Sequence, residues 1–254
     1  MFILCDGMVR SGSTWSFNVA LKLLRLGNPG RKSFGLYNEN PAILASALKP
    51  RASHLVLKAH TLDPGNYSLC SAGKIKTIYT WRDPYDVVAS CIRMFGRSTA
   101  DWPEALRDAL RIWAFHRSTN SACIVWYDSI VHRPEETIAT IARNLDLPLE
   151  PRHLAQIAWE VSFENVKRFS RQVEKLDPGR VIRRDQMVFD RETLFHQGHI
   201  CHGGTGYGRR DLEHALIESI DTVLRDEGFD FLLDSGRRKT LTSWALSPAT
   251  LSYP

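Results

Sequence analysis

The sequence predicts an α/β domain, a P-loop-type parallel β-sheet flanked by α-helices and formed as a single unit. Short apolar runs alternate with amphipathic ones along most of the chain, the pattern of β-α units around a parallel sheet. Several of the amphipathic segments open on proline, which suits the first helical position because its missing N–H would have no partner there. A length of 254 residues, 43% of them hydrophobic, supplies one large core without requiring a second.

Taken in order, the apolar run Phe2–Asp6 is the first expected strand, and the amphipathic run Thr14–Leu26 the first helix. A helix is expected over Pro41–Leu48, then strands at Leu55–Lys58 and Lys76–Trp81. Helices at Pro84–Phe95 and Pro103–Arg117 lead into a strand at Ala122–Tyr127. Helical patterns at Pro134–Leu145, Pro151–Val161 and Asp211–Glu227 follow. Between about Phe169 and Gly208 the chain is rich in Arg, His and Gly and reads as long loops. There is no internal repeat. The domain is expected to span residues 1–234, with "SGRRKTLTSWALSPATLSYP", 235–254, as a tail.

Charge and cysteine usage narrow the function classes. The 33 Lys+Arg against 28 Asp+Glu give +5, a mild basic excess that suits an anionic ligand without demanding nucleic acid. Five scattered cysteines, Cys5, Cys70, Cys91, Cys123 and Cys201, form no Cys-x-x-Cys pair, so neither a disulfide framework nor a zinc site is indicated. Met1 runs directly into Phe2-Ile3-Leu4 with no basic leader, and no long apolar span occurs. The expectation is a soluble cytoplasmic protein with no membrane or nucleic-acid partner; the sequence specifies no oligomeric state.

Ligands of such sheets bind beyond the carboxyl ends of the strands, so the residues after each strand carry the functional argument. After the first strand comes "GMVRSGSTW", close to the phosphate-binding pattern G-x-x-x-x-G-K-[ST] but with Ser13 in place of lysine. It reads either as an anion cradle of backbone N–H groups at a helix N-terminus, its cation moved to Arg10, or as a Gly-Ser turn capping a helix. In "YTWRDPYDVVAS", Asp83 can cap, Pro84 can open and Asp86 can complement a helix. That leaves Arg82 unexplained. With Ser90 about 9 Å further along the helix, Arg82 and Ser90 can grip a second, separate anion. In "LVLKAH", alternation puts Lys58 and His60 on one side of an extended chain, a cation beside a potential base; the plainer reading is a structural histidine.

These motifs, in this order, resemble the PAPS-dependent sulfotransferases, whose donor is 3′-phosphoadenosine 5′-phosphosulfate. "RSGSTW" is similar to the family's 5′-phosphosulfate loop, which implies cofactor contacts from Arg10, Ser11, Gly12, Ser13, Thr14 and Trp15. "RDPYDVVAS" resembles its 3′-phosphate motif, with Arg82 and Ser90 at the two binding positions. "KAH" resembles the Lys-x-His motif whose histidine is the usual catalytic base. "VWYDSIVHRPEETIATIARNLDLPL" and "VSFENVKR" resemble later family segments and place Tyr127 and Phe163 at the nucleotide. Trp15 and Phe163 would hold the adenine, or else are core residues. The resemblance covers Met1 to about Arg210.

One family feature is altered. The late Arg-Lys-Gly-x-x-Gly loop over the 3′-phosphate appears here as Cys201-His202-Gly203-Gly204-Thr205-Gly206, without the Arg-Lys pair. His202 and Gly203 stand at its cofactor-binding positions, and His199, Arg209 and Arg210 are nearby. The missing Walker lysine fits the donor, because lysine and Mg²⁺ neutralise a triphosphate whereas a sulfuryl group carries less charge. Arg10, Lys58 and the amides of Ser11–Thr14 then suffice, and no metal is expected. The implied reaction is sulfuryl transfer to a hydroxyl or amine of a small-molecule or carbohydrate acceptor, with His60 as general base and Arg10 and Lys58 stabilising the leaving group. The alternatives are a nucleotide-dependent kinase with a degenerate loop and a non-catalytic nucleotide-binding module. The acceptor pocket is expected from Asn28–Asn40, Thr61–Lys74, Gly96–Pro103 and the tail, with Phe34, Tyr37, Tyr67 and Trp102 as candidate contacts.

Overall fold

The computed structural model describes residues 1–39, 53–62, 67–96, 102–147, 149–184, 187–200 and 204–233; the expected helix Pro41–Leu48, the expected contacts His202 and Gly203, and the tail 235–254 lie outside them. The chain opens with β1 (Phe2–Gly7), α1 (Ser13–Gly27), β2 (Ser33–Tyr37) and β3 (His54–Lys58). It continues with α2 (Tyr67–Ser71), β4 (Lys76–Trp81), α3 (Pro84–Phe95), α4 (Trp102–Thr119) and β5 (Ala122–Trp126). Then come α5 (Tyr127–His132), α6 (Pro134–Asn144), α7 (Pro151–Glu160) and α8 (Phe163–Ser170). A hairpin of β6 (Val181–Arg184) and β7 (Met187–Asp190) precedes α9 (Gly208–Asp211) and α10 (His214–Asp226).

The five strands β1 to β5 pair in parallel in the order β2-β3-β1-β4-β5. Both β1 and β3 are buried along their whole length, as a sheet covered on both faces requires. Alternate side chains feed two cores. Phe2, Leu4, Leu55, Leu57, Tyr79 and Trp81 belong to one; Ile3, Cys5, Val56 and Ile78 belong to the other, with Phe17 and Leu24 of α1 and Ile138 and Ile141 of α6. The period-two split within one apolar run is what a two-sided strand demands.

Several elements differ from the sequence expectation. β2 lies in a segment read as loop because Gly35 interrupts its pattern, yet the packing calls for glycine there: a Cβ would stand 2.3 Å from the Phe17 ring of α1. The segment read as long loops holds the antiparallel hairpin β6–β7, whose four-residue strands are too short to show a periodicity. The expected helix Asp211–Glu227 forms as α10, which starts three residues later, after the separate four-residue α9 that ends at Asp211.

The sheet order brings the functional segments together. β1 lies between β3 and β4, so the loops leaving these three strands share one end of the sheet, at the point where the chain switches sides. Gly7 ends β1 with φ +148, and a Cβ there would meet Thr80 Oγ1 at 2.1 Å and the Thr80 carbonyl at 2.4 Å. Gly7→Ala is therefore expected to lose about 1–3 kcal/mol by overpacking against β4, read as a lower urea midpoint at unchanged slope.

Candidate active site

The loop from Gly7 to α1 is braced from within. The Ser11 hydroxyl lies 2.6 Å from the Met8 carbonyl and 2.7 Å from Thr80 Oγ1, and the Ser11 N–H donates to Met8 at 3.1 Å. Both Ser11 donors serve the loop itself, and the cavity-lining residues of this segment begin again at Gly12. Gly12 is the N-cap of α1, with φ 99 and no side-chain capping bond. The first-turn N–H groups, which have no intrahelical partner, are left without a side-chain cap. Gly12, Ser13, Thr14 and Trp15 line a cavity of about 1010 Å³.

Arg10 has a left-handed backbone, φ 63, and its side chain turns toward α3. Its Nε donates to Ser90 Oγ at 3.2 Å and its guanidinium to the His199 carbonyl at 2.8 Å. Arg82, at the end of β4, donates to the Arg10 carbonyl at 2.9 Å, the Gly204 carbonyl at 2.9 Å and the Tyr207 hydroxyl at 3.0 Å. It stacks on Tyr127, 4.0 Å from the ring centroid. Its Nε is buried without a partner among the described residues. Arg10, Ser90 and Arg82, remote in sequence, thus form one cluster.

The start of α3 does more than the sequence reading gave it. Asp83 caps the helix, accepting from the N–H groups of Tyr85 and Asp86, with Pro84 at the first position. The buried Asp86 accepts the N–H groups of Gly206 and Gly208, both at 2.6 Å. Gly208 sits so close that a Cβ would be 2.2 Å from the Tyr85 carbonyl carbon. The late loop is therefore docked by an internal carboxylate.

On the other side of β1, Lys58 Nζ lies 2.8 Å from His60 Nε2, and His60 Nδ1 lies 2.9 Å from the Gly7 carbonyl. A carbonyl only accepts, so Nδ1 carries the proton and Nε2 accepts from the ammonium. Burial, with the Lys58 charge second, pushes the imidazole pKa down to about 4. Burial also lowers Lys58 to about 8, opposed chiefly by Glu39 and then Asp6. The fully buried Asp6 is pushed up to about 7 by desolvation.

Tyr127 and Phe163 line the cavity, as does Trp15, which also packs in the core. Of the four expected acceptor aromatics only Tyr37 lines it; Tyr67 stacks on Phe115 at 3.9 Å and Trp102 packs against the core. Glu39 and Tyr207 were missed by the sequence reading. Glu39 was findable, since it follows a strand as His60 and Arg82 do, but β2 itself was hidden. Among the described residues no group of three or more His, Cys, Asp and Glu is placed to hold a metal, and no helix is long and apolar enough to cross a membrane.

Fold and site define a P-loop-type α/β domain in which a glycine-rich helix N-terminus, two interlocked arginines and a Lys–His pair share one cavity. A family model described as the sulfotransferase domain matches residues 5–200, and the chain belongs to that family. Mouse sulfotransferase SULT7A1, solved in complex with PAP, superposes with a TM-score of 0.62 at 15% identity, over 95% of this chain and 88% of that one. Retinol dehydratase in complex with androsterone and the inactive cofactor PAP gives 0.57 at 16%, over 89% and 80%. Its complex with retinol and PAP gives 0.56 at 15%, over 99% and 83%. These likenesses establish the fold. No curated protein sequence matches the chain.

Removing the Asp86 carboxylate leaves two amides, the buried one of Gly208 and that of Gly206, without their acceptor. Asp86→Ala should cost roughly 1.5–3 kcal/mol, and hydrogen exchange should show protection lost first at the Gly206 and Gly208 amides.

Proposed function

We propose that the protein transfers a sulfuryl group from PAPS to a hydroxyl, or an amine, of a small-molecule or carbohydrate acceptor. The observation that carries this reading is the Arg10 link between two centres: it belongs to the loop ahead of α1, yet its Nε bonds Ser90 on α3, 3.2 Å away. A nucleotide with anionic groups at both its 5′ and 3′ ends suits such a pair. The residues fit it: Arg82 Nε and His199 Nδ1 are buried donors or acceptors without partners among the described residues, and both residues line the cavity. The PAP in the solved relatives supports the same donor. Cys5, Cys70, Cys91 and Cys123 are free and buried, which supports a reducing, cytoplasmic setting.

When bound, PAPS supplies a sulfuryl group whose bond to the 5′-phosphate breaks as the acceptor oxygen bonds sulfur. The amides of Gly12, Ser13 and Thr14 and the Arg10 guanidinium hold the 5′ end, and Arg82 and Ser90 the 3′-phosphate. Tyr127, Phe163 and Trp15 flank the nucleotide. His60 presents an unprotonated Nε2, held in that tautomer by Gly7, and takes the acceptor proton there. Lys58 must leave Nε2 for that transfer, and its ammonium then stabilises negative charge on the leaving phosphate.

Binding and turnover test the reading separately. In calorimetry, PAP should bind at least about 10-fold more tightly than adenosine 5′-phosphate or ATP–Mg²⁺, and Arg82→Ala should weaken PAP by roughly 2–4 kcal/mol. Tighter binding of ATP–Mg²⁺ would replace this reading with a kinase. Labelled PAPS offered to phenols, alcohols, sugars and amines should label one of these classes.

The site also sets a pH window. The active form needs His60 neutral and Lys58 charged, so kcat/KM should rise as pH passes about 4 and fall through about 8. Lys58→Arg, which stays charged, should abolish the alkaline fall; an unchanged fall would assign it to another group.

A further inference from the structure

Glu39 follows the edge strand β2 and lies against the end of β3. Its Oε2 accepts the His60 N–H at 2.8 Å and the Thr61 hydroxyl at 3.0 Å, and its own carbonyl accepts the same hydroxyl at 3.3 Å. The Tyr37 hydroxyl also bonds the carboxylate, and Lys58 Nζ stands 4.6 Å from the centroid of the Tyr37 ring. Glu39 lines the cavity beside Lys58 and His60.

We propose that Glu39 is a positioning residue of the transfer reaction: its carboxylate fixes the peptide that carries His60, and its charge holds Lys58 as an ammonium beside a neutral imidazole. The proposal rests on the sulfotransferase reading. The charges facing this pair come from every neighbouring element: Asp6 and Cys5 from β1, Glu39 from the end of β2 and Arg10 from the loop ahead of α1. Arg10 disfavours both cations. The Cys5 thiol is driven up by burial, well out of the neutral range, and contributes no charge. Desolvation pushes Asp6 up to about 7, so its charge is lost as the pH falls through the neutral range. Glu39 is held below the usual carboxylate range by His60 and by the hydrogen bonds from the His60 N–H, Tyr37 and Thr61, against desolvation. It is therefore the carboxylate that is ionised throughout the working range, and the largest influence raising Lys58 against its burial.

Glu39→Gln keeps an oxygen for the His60 and Thr61 donors but removes the charge. Titration of ¹³C-labelled lysine by NMR should then find the Lys58 midpoint at least about one pH unit lower than in wild type, with Glu39→Asp restoring most of the difference. The alkaline fall of kcat/KM should move down by the same amount, while melting temperature and PAP affinity near pH 6, where Lys58 is charged in both proteins, stay close to wild type. An unmoved Lys58 midpoint in Glu39→Gln overturns the proposal, as does a Glu39→Asp protein that titrates like the Gln variant. His60→Ala separates the two readings: full turnover in that variant removes the general base, whereas the lysine titration reads Glu39 independently of any reaction.

Discussion

Everything at this site depends on β1 being sandwiched between β3 and β4 at van der Waals limits. Gly7 is where that constraint is tightest. Its missing side chain admits Thr80 of β4, its carbonyl orients the His60 ring that follows β3, and its N–H bonds the Asp6 carboxylate at 2.6 Å. One glycine thus joins three segments that lie far apart in sequence, with 53 positions between Gly7 and His60 alone. Moving β1 by a fraction of an ångström would shift the imidazole, the loop ahead of α1 and the Arg82 strand end together, since close-packed interiors transmit strain.

The electrostatics follow from the same crowding. Lys58, Arg82, Asp6 and Asp86 are all at most 7% exposed, and a buried charge is tolerated only when paired and hydrogen-bonded. Arg82 meets this with two backbone carbonyls, a tyrosine hydroxyl and a stacked ring. Asp86 meets it with two glycine amides. Lys58 has a histidine nitrogen and nearby carboxylates, and Asp6 keeps one oxygen without a partner among the described residues. Among the described residues, unpartnered buried atoms thus remain on both sides of the cavity, Asp6 Oδ2 near the Lys58–His60 pair and Arg82 Nε and His199 Nδ1 opposite, whereas Asp86 is satisfied by the late loop that it docks.

The late loop shows how a family feature can be altered while the segment still docks. The Arg-Lys pair seen in the resembling family is absent from residues 201–206, yet residues 204–208 are fixed to α3 by Asp86, by the close contact of Gly208 with Tyr85 and by Arg82 on Gly204 and Tyr207. Arg93 adds a cation–π contact to Tyr207 at 5.0 Å. Docking relies on backbone amides and carbonyls, which sequence motifs do not record.

The sequence by itself determined the α/β class, four of the five parallel strands, most of the long helices and the segments that carry the site. These are written in local signals: apolar runs, proline at helix starts, glycine in the loop ahead of α1, and Lys-x-His at a strand end. Tertiary structure alone decided the rest. β2 pairs with β3 and packs on α1 through Gly35, a contact no local pattern reveals, and with β2 comes Glu39. Arg10 turns toward Ser90 because of a left-handed backbone at its own position and a carbonyl at His199. The Lys58–His60 pair takes its protonation from burial and from carboxylates on other strands. Residue types and spacing are local properties, whereas desolvation and charge proximity belong to the packed sheet, so chemistry at this cavity had to wait for the fold.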